Sequence, residues 1–139
     1  MKQIIIQQPI KSKLIAATLT CLISLITITP LCGFLFQCGC NWPWLGLDAG
    51  CNYYKPHAEH TCPWCASMIT GILATGLATL SGMLAATLAP LTQMKLPNAI
   101  EVVARTSLGL SLFLLLAVLT AAIAAVSQAY PLGIGLYLN

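Results

Sequence analysis

Charge is the scarcest thing in this chain. Six Lys and Arg and three Asp and Glu are spread over 139 residues, 6% of the whole, while 58% of residues are hydrophobic. A soluble domain carries about 25% charged residues, so a water-facing surface all round is excluded. The net charge is only +3 and its cations are scattered, which leaves no stripe for a nucleic-acid partner. A Gly-rich phosphate loop, a Ser/His/Asp set, paired carboxylates and internal repeats are all missing, and Asp48 and Glu59 stand alone. Phosphate-loop and carboxylate-pair chemistry therefore have no residue set to run on.

What the chain does have is apolar length. Three segments reach the roughly 18 predominantly apolar residues that cross a bilayer. They run from about Leu14 to Phe36, from about Cys65 to Leu91, and from about Ala99 to Ala129. The third starts as an interfacial turn and crosses from about Ser107 to Val126. Inside a bilayer each backbone must satisfy its own hydrogen bonds, so all three are expected to be α-helices. The expected fold is an all-α, integral membrane three-helix bundle, one transmembrane domain over residues 1–139. A Cys/His-rich extracytoplasmic loop over residues 37–64 joins helices one and two. The first segment has the basic start of a signal peptide. Its apolar run is long for one, no A-x-A-like site follows, and it is expected to remain as a helix.

Orientation follows from the basic residues at helix ends. Lys2, Lys11 and Lys13 precede the first helix, Lys95 and Arg105 flank the second connection, and Lys55 alone lies in the first. The expectation is an inner membrane of a bacterium, with the amino terminus cytoplasmic. The Cys-rich loop and the tail from Tyr130 to Asn139 then face the periplasm, where disulfides persist.

Several local features refine the helices. Met1–Gln8 has an amphipathic pattern that Pro9 should separate from helix one, and Pro30 should kink that helix. Thr20, Ser24 and Thr27 share one face, with Cys21 at its edge as a small packing residue. Pro63 suits the first turn of helix two, and Pro90 ends it. Ala74, Ala78, Gly82 and Ala86 stand four apart and form a small-residue stripe, for which the polar face of helix one is the natural partner. Asn98 and Glu101 resemble a capping box, and Glu101 and Arg105 stand four apart in the favourable order. Pro131 ends helix three. No charge lies deep in a span on this reading, which argues against a proton relay or ion pathway. Trp42, Trp44, Tyr53, Tyr54, Trp64, Tyr130 and Tyr137 all fall on the outer side as an aromatic belt, with residues 41–45 lying in the interface.

The loop concentrates the reactive side chains, in the pattern C-x-C-x10-C-x5-H-x2-H-x-C-x2-C. Thiolate and imidazole together suit zinc, and thiolates also suit copper(I). The candidate metal ligands are Cys38, Cys40, His57, His60, Cys62 and Cys65. The competing use is stapling, for which Cys38, Cys40, Cys51, Cys62 and Cys65 are the disulfide candidates. Cys32 and Cys21 could extend a thiol path down helix one. A c-type haem is excluded, because Ala66 and not His follows Cys65.

Cys62-Pro63-Trp64-Cys65 resembles the C-P-aromatic-C dithiol of glutaredoxins over these four residues. No βαβ pattern surrounds it, so a thioredoxin-like fold is not implied. A Cys-x-x-Cys at the outer end of a membrane helix is also similar to membrane quinone-linked disulfide oxidases and vitamin K epoxide reductases. That resemblance implies Cys62 as attacking thiol and Cys65 as resolving thiol, with Cys38 and Cys40 as a second pair. A helix amino terminus at Cys62 would lower its pKa. Small mercury transporters offer a looser analogy through cysteines within a membrane helix.

These observations lead to an ordered expectation. The first is a small accessory or structural subunit of a larger membrane complex, not itself an enzyme, in contact with lipid and with other membrane subunits. The second is a copper- or zinc-binding or delivery protein. The third is a membrane thiol–disulfide oxidoreductase.

Overall fold

The structure, a computed structural model, describes residues 2–40, 55, 57, 59–91 and 97–138. Among them lie four helices and no strands: α1 (Lys2–Phe36), α2 (Met68–Leu88), α3 (Asn98–Ser127) and the short α4 (Gly135–Leu138). Three stretches are long and apolar enough to cross a membrane: Ile10–Phe36, Ile69–Leu88 and Asn98–Ser127. Within them only 28%, 22% and 28% of the most apolar window is buried inside the chain. Leu14, Leu22, Leu80, Leu84, Leu115 and Leu119 stand exposed along them. So much uncovered aliphatic surface is unfavourable in water and ordinary in lipid. The chain is an integral membrane protein.

The helix limits depart from the sequence expectation in four places. α1 runs unbroken from Lys2 through Pro9, with no separate amphipathic start, and continues through Pro30. Proline costs a helix one hydrogen bond, a loss that membrane helices absorb through neighbouring groups. α2 begins at Met68, not around Cys65, because residues 62–66 close a turn of their own. Its bonds run from the amides of Cys65 and Ala66 to the Cys62 carbonyl, at 2.9 and 2.8 Å. The Gly71 amide then bonds the Ser67 carbonyl at 3.0 Å, opening α2 proper. In α3 the Glu101 amide bonds the Pro97 carbonyl at 2.9 Å, so Pro97 holds the cap position and Asn98 is the first helical residue. Glu101 turns to Arg105 instead of closing a capping box. α3 ends as a Schellman motif: the Tyr130 amide reaches back to Ala125, the Ala129 amide to Val126, and Ala129 takes a φ of 48°.

Contacts divide the chain into two units: Met1–Ser24 with Ala78–Leu114, and Leu25–Leu77 with Leu115–Asn139. The first unit is held by close backbone approach and by one buried ion pair. A methyl placed on Gly82 would lie 2.7 Å from the Gly109 carbonyl oxygen and 3.4 Å from the Thr20 Cγ2. A methyl on Gly109 would lie 2.7 Å from the Gly82 carbonyl oxygen. The small-residue stripe and the hydroxyl face of α1 do meet at this level, as their spacing suggested. Thr20 and Ser24 are buried, and the Thr20 hydroxyl donates back to the Ala16 carbonyl at 2.8 Å. Gly109 supplies the third surface, which the stripe alone did not reveal. Cys21 is half-buried.

Arg105 stands near the start of the third apolar stretch. It is fully buried, and both it and Glu101 fall inside Asn98–Ser127. Its Nε donates to Glu101 Oε1 at 2.8 Å. Its Nη1 donates to the carbonyls of Ala86, Thr87 and Ala89 at 3.1, 3.3 and 2.9 Å. Those carbonyls close the end of α2, where a helix leaves its last acceptors unsatisfied and its dipole favours a cation. One guanidinium therefore ends α2 and ties it to α3.

The second unit is built around aromatic rings. Phe36, at the end of α1, is fully buried and meets Trp64 edge-on at 5.3 Å and Tyr130 edge-on at 5.8 Å. The Tyr130 hydroxyl donates to the Phe36 carbonyl at 3.0 Å, and the Ile134 amide donates to the Leu35 carbonyl at 2.7 Å. Gln128 Nε2 donates to the Pro63 carbonyl at 3.1 Å. Trp64 and Tyr130 thus belong to a packed core and not to an interfacial belt, while Tyr137 is 85% exposed. Trp42, Trp44, Tyr53, Tyr54 and Lys95 lie outside the described residues.

Candidate metal centre

Five thiols converge in the second unit, and the first of them comes from a helix. Cys32 sits one turn before the end of α1. The chain then leaves the helix through Gln37, at a φ of 52°, and Gly39, at a φ of 80°. These left-handed residues fold Cys38–Cys40 back over α1. The returning chain passes so close that a side chain on Gly33 would collide with the Cys40 carbonyl. From the other side comes the turn over residues 62–66, bearing Cys62 and Cys65. It is pressed onto α2 at Gly71, where only a hydrogen leaves room for the Trp64 carbonyl.

The sulfurs form two triads that share one member. Cys32, Cys38 and Cys62 have their Sγ atoms within 4.8 Å of one another, and so do Cys32, Cys40 and Cys65. Cys32 Sγ lies 3.2 Å from Cys62 Sγ and 3.6 Å from Cys38 Sγ. An ion about 2.3 Å from each of two thiolates holds them about 3.8 Å apart at a tetrahedral angle, so modest sulfur movement closes either triad on an ion. The first triad is buried, with Cys32, Cys38 and Cys62 at 5%, 3% and 0% exposure, whereas Cys40 and Cys65 are half-buried. None of the six described cysteines is joined in a disulfide.

The charge distribution reverses one expectation. The Cys62 thiol was expected to ionise easily at a helix amino terminus, but α2 opens six residues beyond it. Cys32 pulls its pKa down, yet Cys38, Cys65 and burial outweigh this and push it up. Cys38 is shifted the other way: hydrogen bonding with the thiol of Cys32 first, then with those of Cys40 and Cys62, lowers its pKa against the effect of burial.

The site is narrower and also deeper than its sequence pattern. Cys38, Cys40, Cys62 and Cys65 are brought together as expected. His57 and His60 are exposed and belong to neither triad. The His60 ring instead stands 6.3 Å from the Tyr130 ring. Cys62 and Cys65, expected as one dithiol, fall in different triads. Cys51 lies outside the described residues. Cys32, read from the sequence only as part of a thiol path down helix one, belongs to both triads. Its signal was available in Cys32-Gly33, a thiol one turn from the helix end beside a residue that permits close backbone approach. Comparison with protein-family models, curated proteins and solved structures finds no match to this chain.

Proposed function

We propose that this integral membrane protein holds a soft, thiophilic metal ion, copper(I) in preference to zinc, in its thiol cluster. It does so as a small accessory component of a larger membrane assembly. The observation that carries the reading is the convergence of Cys32, Cys38 and Cys62 with Cys40 and Cys65 around a shared sulfur. Donors of one soft type select copper(I) or zinc. Zinc in structural sites is almost always four-coordinate, whereas each group within reach of one ion among the described residues contains three thiols. Three thiols suit copper(I) better. The accessory role is supported by the exposed aliphatic faces of the spans, which neighbouring subunits could cover as readily as lipid. The basic residues Lys2, Lys11 and Lys13 favour a cytoplasmic amino terminus, with the cluster facing the periplasm of a bacterium.

Elemental analysis of the protein purified anaerobically from its native membrane tests the reading. Stoichiometric copper that is lost in Cys32→Ser supports it. Metal-free wild-type protein that also takes up no copper(I) on reconstitution would end it. The accessory role requires that other membrane subunits co-purify and that deleting the chain impairs their assembly.

Thiol–disulfide exchange is the second reading, and the 3.2 Å approach of Cys32 to Cys62 favours it. In that case a disulfide substrate takes two electrons from this pair, with Cys62 attacking and Cys32 resolving, and Cys32→Ser leaves a trapped mixed disulfide at Cys62.

A further inference from the structure

The five thiols differ in what can reach them. A cavity of about 260 Å³ is lined by Cys32, Cys40 and Cys65 together with Trp64, Ile72 and Thr75, among others. Cys38 and Cys62 do not line it. The triad that does includes both half-buried cysteines, and the triad behind it is buried throughout. Cys32 alone belongs to both.

We propose, building on the metal-binding reading above, that Cys32 is a pivot ligand. A copper(I)-class ion is captured from the cavity by Cys32, Cys40 and Cys65 and passes to rest at Cys32, Cys38 and Cys62. A bare ion in this apolar setting would be prohibitively costly, so transfer has to proceed by ligand exchange. Cys32 stays bound throughout. Each bond formed to Cys38 or Cys62 is matched by one broken to Cys40 or Cys65. On capture the thiols of Cys32, Cys40 and Cys65 give up their protons to water; in the transfer that follows, the proton leaving each incoming thiol is taken up by the departing thiolate, so neither the total charge nor the oxidation state of the metal changes. Cys38 and Cys62, away from the cavity, then hold the ion out of reach of competing ligands in it. The two triads divide the work into entry and retention.

Anaerobic transfer of copper(I) from its coloured bicinchoninate complex to the detergent-solubilised full chain tests this, with the loss of colour followed in time. Wild type is expected to take one ion per chain. The Cys40→Ser/Cys65→Ser variant should reach nearly the same final occupancy, with uptake slowed on the order of tenfold. The Cys38→Ser/Cys62→Ser variant should take up copper at close to the wild-type rate but hold it roughly a hundredfold more weakly. Cys32→Ser should lose both properties.

A second measurement needs no variant and so does not depend on mutant folding. Wild type loaded with one equivalent of copper(I) is alkylated and digested, and each cysteine is read by mass spectrometry. Cys40 and Cys65 should be modified, and Cys32, Cys38 and Cys62 protected. Protection of Cys40 and Cys65 in place of Cys38 and Cys62 overturns the pivot. So do two ions per chain, or equal slowing and weakening in both double variants. A wild type that takes no copper sinks the metal reading itself and the pivot with it, an outcome distinct from binding without the division of labour.

Discussion

The two units of this chain use close approach for different ends. In one, Gly82 and Gly109 let helices touch backbone to backbone, and Arg105 fills the end of α2. There the buried polar groups Thr20, Glu101 and Arg105 bond to helix backbone or to one another. In the other, Gly33 and Gly71 also admit a neighbouring backbone, but the segments they admit carry thiols. The same device builds a joint in the first unit and a set of soft donors in the second. Stability and chemistry are thereby assigned to separate residues, so substitutions should damage one without the other.

The largest effect is expected at Arg105. Arg105→Leu strands the buried Glu101 carboxylate and frees three carbonyls at the end of α2. Removing one partner of a buried pair costs about 3–5 kcal/mol, which thermal unfolding in detergent would register. Copper bound per folded molecule should be unchanged, and a fall in that ratio would blur the distinction between the units. Cys32→Ser is the converse. It should weaken copper(I) binding by roughly a hundredfold or more in competition with a chelator, while the unfolding midpoint of the metal-free protein stays close to wild type. Gly82→Val comes next, at about 1–3 kcal/mol from overpacking against Gly109 and Phe113, again without loss of copper affinity. Tyr130→Phe removes one hydroxyl bond to the Phe36 carbonyl, a loss of about 1 kcal/mol. Because Phe36 and Trp64 frame the thiol turn, it is the one substitution here expected to touch both properties, by small amounts.

The helices were legible because spanning a bilayer demands long apolar runs, and few other structures can supply them. Where the helices begin was less legible. Pro63 is compatible with a first helical turn, but it is equally compatible with the separate turn that residues 62–66 form. Pro9 suggested a break that the helix does not make. Arg105 was read as a flank because its sequence neighbours are consistent with one. Its partners, the carbonyls of Ala86, Thr87 and Ala89, lie 16 to 19 residues away and carry no side-chain signature. The thiol cluster was half legible. Spacing in the loop located Cys38, Cys40, Cys62 and Cys65 but could not bring in Cys32, which joins only because the chain doubles back over Gly33. Spacing also recruited His57 and His60, which are close in sequence to Cys62 yet exposed in the fold.

The central claim is that Cys32, Cys38 and Cys62 together bind a soft metal. X-ray absorption at the copper edge, on protein loaded anaerobically with one equivalent of copper(I), tests it most directly. Three sulfur neighbours at about 2.3 Å, reduced in number by Cys32→Ser, is the expected result. A shell dominated by nitrogen or oxygen, or one that Cys32→Ser leaves unaltered, would contradict it.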